Sequence, residues 1–244
     1  MRVEFLGTGG YHPNERRHTT CVMLPEVGIV FDAGTAFFRV PNRIQTPDLH
    51  IFLSHAHLDH IVGLTYILSA LATGTLKRAH VHATAATLAA VREHLFAQPI
   101  FPVMPAYEFH PLTERVEIPE GGVLTHVSLG HPGGSTGFRI DWPGRSLAFI
   151  TDTTVDGTYT KFVRGVGLLI HECYLPDARG EWAKKIGHSH TTPVAELARD
   201  AGAGQLVLIH IDPRCMEADP IDLSRARAIF PRTELAEDLM AVDF

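Results

Sequence analysis

Short apolar runs rich in branched and aromatic residues recur along the chain. They fall at 2–6, 21–24, 28–32, 49–53, 79–83, 123–129, 137–142, 146–150, 166–171 and 206–210. Runs of this length and composition predict buried strands. Helical spacing of apolar positions predicts helices over about 60–72, 84–96, 193–201 and 222–229. Thr192 before Pro193 predicts a cap with proline at the first helical position, and Gly202 predicts the stop. Strands, then a helix pair, then the same order again predict two similar halves meeting face to face. Residues 97–121 carry five prolines and two phenylalanines. That stretch is expected to be a connection, either a rim loop over a site or plain surface. The chain has no repeat of solenoid period and no low-complexity segment.

Composition narrows this to a soluble globular protein. The chain has 244 residues, 45% hydrophobic and 20% charged, which fits one domain over 1–244 with a large core. No stretch approaches the length of a membrane span, and the first residues run straight into a strand rather than a signal peptide. Cys21, Cys173 and Cys215 have an odd count and no C-x-x-C spacing. They read as buried small residues in a reduced, cytoplasmic protein. The net charge is −6, and the basic residues form only short groups at Arg16-Arg17, Lys77-Arg78 and Lys184-Lys185. A protein that grips a large polyanion displays a basic face, so this balance argues against tight binding of structured RNA.

The densest chemistry lies at residues 54–60, Ser-His-Ala-His-Leu-Asp-His, directly after the strand-like Leu49-His50-Ile51-Phe52-Leu53. Three imidazoles (His55, His57, His60) and one carboxylate (Asp59) within six residues suit a borderline metal such as zinc. In an extended loop 55, 57 and 59 project to one side, with His60 near a helix start. One ion cannot easily use all four groups, so the spacing points to two. A lone histidine after a strand is more often hydrogen-bonded surface or core, and helix-capping polar residues are the bland alternative for the run.

H-x-H-x-D-H after a hydrophobic strand resembles the signature of the metallo-β-lactamase superfamily, and further signatures follow in family order. His131 lies in Leu-Gly-His-Pro-Gly-Gly-Ser-Thr-Gly (129–137), Asp152 in Ile-Thr-Asp-Thr (150–153), and His210 ends Leu-Val-Leu-Ile-His (206–210). Phe5-Leu6-Gly7-Thr8-Gly9-Gly10 and Phe31-Asp32-Ala33-Gly34 resemble the ribonuclease Z and phosphodiesterase branch, as do Ile170-His171-Glu172 and Gly187-His188-Ser189-His190-Thr191. The glycines themselves read as turn residues at positive φ. The resemblance covers nearly the whole chain. It implies an α/β fold, a four-layered αββα sandwich of two mixed sheets flanked by helices. It also implies one metal at His55, His57 and His131, a second at Asp59, His60 and His210, and Asp152 bridging them. The expected cofactors are two divalent ions, zinc first, with manganese and iron also compatible.

Two such ions ~3.5–4 Å apart make a hydroxide at neutral pH and polarise an electrophile. Asp59 can orient that hydroxide or take its proton, and Glu172 with His188 can form a carboxylate–histidine pair that serves the leaving oxygen. The branch pattern has Thr where this chain has His190, so either His188 or His190 is a candidate for facing the substrate. His171, one residue from Glu172, is expected on the opposite face.

A phosphodiesterase acting on a nucleotide, a cyclic phosphate or a short RNA is the leading expectation. A hydrolase of carboxylic or sulfate esters (lactone, thioester, alkyl sulfate) is the alternative, and a non-catalytic binding protein on the same fold is a third. Pre-tRNA processing is disfavoured. The family's tRNA-gripping arm is an insertion between the signatures of His131 and Asp152, where only 20 residues lie here. The sequence leaves oligomeric state open between a monomer and a homodimer.

Overall fold

The computed structural model describes residues 1–244, and their packing divides them into two compact units. The first comprises Met1–Thr113 and Glu237–Asp243, and the second Glu114–Ala236 with the terminal Phe244. Each carries its own seven-stranded mixed sheet.

In the first unit the strands are β1 (Arg2–Gly7), β2 (Cys21–Leu24), β3 (Ile29–Phe31), β4 (Asp48–Phe52), β5 (Arg78–Ala83) and β6 (Tyr107–Pro111). The sheet is completed by the chain's last strand, β14 (Met240–Asp243). Their order is β14-β1-β2-β3-β4-β5-β6. The three junctions from β14 to β3 are antiparallel, and the three from β3 to β6 are parallel. One face of β4–β6 buries Leu49, Ile51, Ala79, Val81 and Tyr107 in a core with Leu64, Ile67, Leu88 and Val91. Those last four come from the helical segments after β4 and β5.

The second unit holds β7 (Val116–Ile118), β8 (Gly122–Leu129), β9 (Ser135–Trp142), β10 (Arg145–Ile150), β11 (Leu168–Glu172), β12 (Gln205–Ile209) and β13 (Thr233–Leu235). Its order is β13-β12-β11-β10-β9-β8-β7, antiparallel from β7 to β10 and parallel from β10 to β13. Val194, Leu197 and Ala198 of the helix after β11 close its core against Leu169, Leu206 and Leu208. The sequence pattern of two similar halves is therefore realised as two sheets with the same split between antiparallel and parallel pairing.

The strands read from the sequence all appear, within two residues at each end. The first two helical patterns break into shorter pieces. Residues 60–72 break into α1 (Leu58–Ile61), a 3-10 segment (Val62–Tyr66) and α2 (Leu68–Ala72). The break has a steric cause: Gly63 N–H donates to Ala33 O at 2.7 Å, and a Cβ there would lie 2.4 Å from Gly34 O. Residues 84–96 are α3 (Ala85–Ala90) followed by a π-turn (Val91–Leu95). After α4 (Gly180–Lys185), α5 spans Thr191–Ala201, so it starts before the expected cap. His190 is its N-cap residue, and Asp177 accepts the Thr192 N–H at 2.8 Å, so the cap comes from another loop. Gly202 stops the helix at φ +64° as expected. The stretch 97–121 is not a plain connection, because it contains β6 and β7. Of the cysteines, Cys21 and Cys173 are buried, whereas Cys215 is half-buried. No helix is long and apolar enough to cross a membrane.

Candidate metal centre

Both units place metal-type side chains at the C-terminal ends of strands, most of them parallel strands, where mixed α/β sheets collect ligands; His131 follows the antiparallel β8. In the first unit β3 ends in Asp32 and β4 runs into the 54–60 loop. Asp32 is fully buried and has φ +57°. Its Oδ1 accepts the Ser54 N–H at 2.7 Å, and its Oδ2 accepts the Ser54 hydroxyl at 2.9 Å and His60 Nδ1–H at 2.8 Å. Because the Ser54 hydroxyl donates to Asp32, it accepts from His55 Nδ1–H at 2.9 Å. One carboxylate thus fixes two imidazoles, His60 directly and His55 through Ser54, and reserves Nε2 of each as a lone-pair donor.

His57 caps α1 and is exposed. The His55 ring lies 4.4 Å from that of His57 and 4.3 Å from that of His60, centroid to centroid. Asp59 Oδ2 lies 3.3 Å from His60 Nε2 and accepts the Tyr11 N–H at 2.7 Å. The run is not extended throughout, since Asp59 and His60 are already helical.

In the second unit Asp152 follows β10 with φ +45° and His210 follows β12 with φ +59°. Asp152 turns Oδ1 to His210 Nε2 at 3.2 Å and Oδ2 to His131 Nε2 at 3.6 Å. Such a split suits a carboxylate that serves two ions. Thr151 Oγ1 donates to Asp152 Oδ1 at 2.7 Å. His131 Nδ1–H donates to Gly187 O at 2.9 Å, so His131 too presents Nε2. Gly187 is at φ +82°, and a Cβ there would meet Pro132 Cδ at 2.4 Å, so this carbonyl needs a glycine. Burial pushes the His131 pKa down, against the upward pull of Asp152, and so favours the neutral ring a metal requires.

Glu172 and His188 meet, with Glu172 Oε1 accepting His188 Nδ1–H at 3.0 Å. Glu172 is fully buried and also accepts the Thr153 N–H at 2.8 Å and the Ser189 N–H at 3.2 Å. His188 is stacked on Tyr174 at 4.3 Å and lies 5.0 Å from the His131 ring and 5.4 Å from the His210 ring. Donor atoms of Asp152, His188 and His210 fall within 4.8 Å of one another. His190 is elsewhere: its Nδ1 bonds Asp177 Oδ1 at 2.7 Å, and its ring packs over Gly180. His171 is on the opposite face from Glu172, as expected, with Nε2 accepting from the Tyr159 hydroxyl at 2.9 Å.

Residues 28–211 match the beta-lactamase superfamily domain. The chain belongs to this superfamily. Among curated relatives, ribonuclease Z of Parasynechococcus marenigrum (strain WH8102) is 28% identical, with 100% of this chain and 98% of the relative covered. The metallo-beta-lactamase fold protein YhfI from Bacillus subtilis superposes with a TM-score of 0.82 at 17% identity, over 99% of this chain and 98% of its own. Human tRNase Z, short form, superposes with a TM-score of 0.77 at 23% identity, over 100% and 99%. The fold is therefore the metallo-β-lactamase fold, and the relatives fall in the ribonuclease Z branch that the motifs resemble.

Within this superfamily frame, the ligand-type residues were legible but their supports were not. The sequence gives no role to Ser54, to the Tyr11 N–H or to Tyr174, and it reads Asp32 only as part of a glycine turn. The turn reading needs correction. Gly34 is not at positive φ; a Cβ there would lie 2.4 Å from Asp59 O, so close approach demands the glycine, and Asp32 takes the left-handed conformation instead. The carboxylate's role is testable. Asp32→Asn keeps an acceptor for Ser54 but sets an amide N–H₂ against His60 Nδ1–H. We expect metal affinity to fall by roughly 10–100-fold in a chelator competition. Wild-type affinity would mean that Asp32 does not set the His60 tautomer.

Proposed function

We propose that this chain is a phosphodiesterase that cleaves a nucleotide, a cyclic phosphate or a short RNA, with both units working as one domain over residues 1–244. The coarser class, a metal-dependent hydrolase of the nuclease and phosphodiesterase type, rests on the superfamily and on the ribonuclease Z relatives. In this reading His55, His57 and His131 hold one ion, Asp59, His60 and His210 hold a second, and Asp152 serves both. Zinc suits the donor set of imidazole and carboxylate, with manganese and iron as alternatives. When bound, the ions supply Lewis acidity that brings a water's pKa to about 7, and positive charge beside the phosphate.

The observation that carries the phosphate reading is the Glu172–His188 pair set beside Asp152, His131 and His210. Three N–H bonds fix the Glu172 carboxylate. With Nδ1–H given to Glu172, protonated His188 offers Nε2–H to the oxygen that departs from phosphorus. Water adds at phosphorus, the P–O bond to the leaving group breaks, and that oxygen takes the His188 proton. The Tyr11 N–H bond orients the Asp59 carboxylate, which in this reading takes a proton from the attacking water. His190, bonded to Asp177, is read as support for the start of α5, so the role facing the substrate goes to His188.

Substrate size follows from the same surfaces. Residues 132–151 form a loop and the β9–β10 hairpin, turning at Pro143-Gly144, which leaves no room there for an arm. The alignment with the ribonuclease Z spans 312 positions against 244 residues here. Tyr11, whose N–H holds Asp59, is 69% exposed and offers a ring face on which a base can stack.

The test is steady-state hydrolysis of bis(p-nitrophenyl) phosphate by metal-analysed protein, beside a lactone and a thioester. Diester turnover should vanish on chelation and return with zinc or manganese. Acyl substrates cleaved by a metal-loaded protein that is silent on the diester would overturn the reading in favour of ester hydrolysis.

A further inference from the structure

A second group of metal-type side chains lies on the first unit's sheet and shares no residue with the centre above. Strands β4, β5 and β6 are adjacent and parallel, in a register that sets His50 beside His80, His80 beside Glu108, and His82 beside His110. Side chains alternate along a strand, so these five share the face opposite Leu49, Ile51, Val81 and Tyr107. The result is four imidazoles and one carboxylate on three neighbouring strands.

The donor atoms converge. His80 Nδ1 lies 3.1 Å from His110 Nε2 and 3.4 Å from Glu108 Oε2, and His110 Nε2 lies 3.9 Å from the same oxygen. An ion bound tetrahedrally at about 2.0–2.1 Å separates its donors by about 3.3–3.4 Å. The three observed spacings bracket that value. His80 is nearly buried, whereas Glu108 and His110 are about half exposed, so one side of the triangle is open to solvent.

The other two imidazoles stand next to this triangle. His50 Nδ1 and His82 Nε2 are 3.2 Å apart, which requires one N–H and one lone pair. The His50 ring stacks on His80 at 4.6 Å, and the His82 ring on His110 at 4.9 Å. Burial first, and neighbouring imidazoles second, push His82 down to about 3 and His50 down to about 4. His80 is lowered by burial as well, against the pull of Glu108. Branched apolar residues fill a sheet face at lower desolvation cost than this array does.

We propose that His80, Glu108 and His110 form a separate divalent-metal site, suited to zinc or a neighbouring first-row ion, that ties the edge strand β6 to β5. A His₂–carboxylate set leaves a fourth position for water or for a ligand from solution. β6 is the last strand of its sheet, and the irregular residues 97–106 lead into it. An ion here would hold that edge independently of the catalytic ions.

Metal-depleted full-length protein titrated with Zn²⁺ against a chromophoric chelator tests this directly. Wild type should take up one equivalent more than His110→Gln and one more than Glu108→Gln, with an affinity on the order of micromolar. Loss of a ligand should weaken that equivalent by about 100-fold or more. Both substituted residues are exposed, and diester turnover with the catalytic ions loaded should stay within about twofold of wild type. Zinc should also raise the melting temperature of the Asp152→Asn protein and not that of Asp152→Asn/His110→Gln. Equal zinc stoichiometry in wild type and both single variants, or an equal zinc-induced shift in the last two proteins, would overturn the proposal. Its failure would leave the catalytic reading untouched, because none of these three ligands belongs to it.

Discussion

Asp152→Asn should strip the catalytic ions and lower diester turnover by roughly 1000-fold, which is about 4 kcal/mol of barrier. Asparagine isolates the effect. Asp152 sits at φ +45°, a conformation that Asn tolerates and that alanine adopts only with strain. The amide oxygen can still accept from Thr151 Oγ1, so the strand-end loop keeps its anchor. What disappears is the negative charge and the second oxygen, which now faces His131 as an N–H₂ group instead of an acceptor. Metal is best counted in the His110→Gln background, where the β5–β6 site contributes nothing, and there the protein should hold close to none. Two full equivalents in that double variant would remove Asp152 from the proposed bridging position. A circular dichroism spectrum matching wild type would separate loss of ligand from loss of fold.

The same local geometry recurs at Asp32, Asp152 and His210, each a non-glycine residue at positive φ after the end of a strand. Such conformations cost of order 1–3 kcal/mol each and persist where surrounding bonds over-determine them. Asp32 accepts three hydrogen bonds, and Asp152 is held by Thr151 between two imidazoles. The sharp reversal directs each side chain off the end of its sheet. Strain is thus stored at residues that orient or supply ligands, as well as at Glu120, Asp222 and Leu239 elsewhere in the chain.

That arrangement explains what was legible in the sequence. Ligand types and strand cores are written in composition: H-x-H-x-D-H stands out, and Leu49-His50-Ile51-Phe52-Leu53 announces its strand. Supports are written in approach distances, which a one-dimensional pattern does not carry. Nothing in Phe31-Asp32-Ala33-Gly34 states that Gly34 makes room for Asp59 O, or that Ser54 relays Asp32 to His55. The short strands β6, β7, β13 and β14 escaped because their runs are brief and interrupted by polar residues or proline, and tertiary pairing formed them against weak propensity. The helix pattern over 60–72 was real as hydrophobic spacing, but Gly63 had to touch the 32–34 loop, and that contact outweighed helix continuity. Gly187-His188-Ser189-His190-Thr191 offers two imidazoles two residues apart, which the sequence does not tell apart. Their partners differ in the structure, one ring bonded to buried Glu172 and the other to Asp177.

His188→Ala should leave metal content unchanged while slowing hydrolysis of diesters with poor leaving groups by about 100–1000-fold, within the usual range for general acid catalysis. The effect should depend on the leaving group. An alkoxide departs badly without a proton, whereas p-nitrophenolate departs well unaided, so bis(p-nitrophenyl) phosphate should lose far less than a nucleoside diester. A residue that only shaped the pocket would slow both substrates alike. Glu172→Gln should reproduce the pattern more weakly. Glutamine can keep its amide oxygen as acceptor for His188 Nδ1–H and Thr153 N–H while removing the charge that stabilises a protonated ring, although its amide N–H₂ then meets Ser189 N–H. His190→Ala should leave the leaving-group dependence at wild-type values, because its ring is committed to Asp177 and Gly180. Equal losses on both diesters in His188→Ala would reduce His188 to a positioning residue, and unchanged turnover on both would end its assignment altogether.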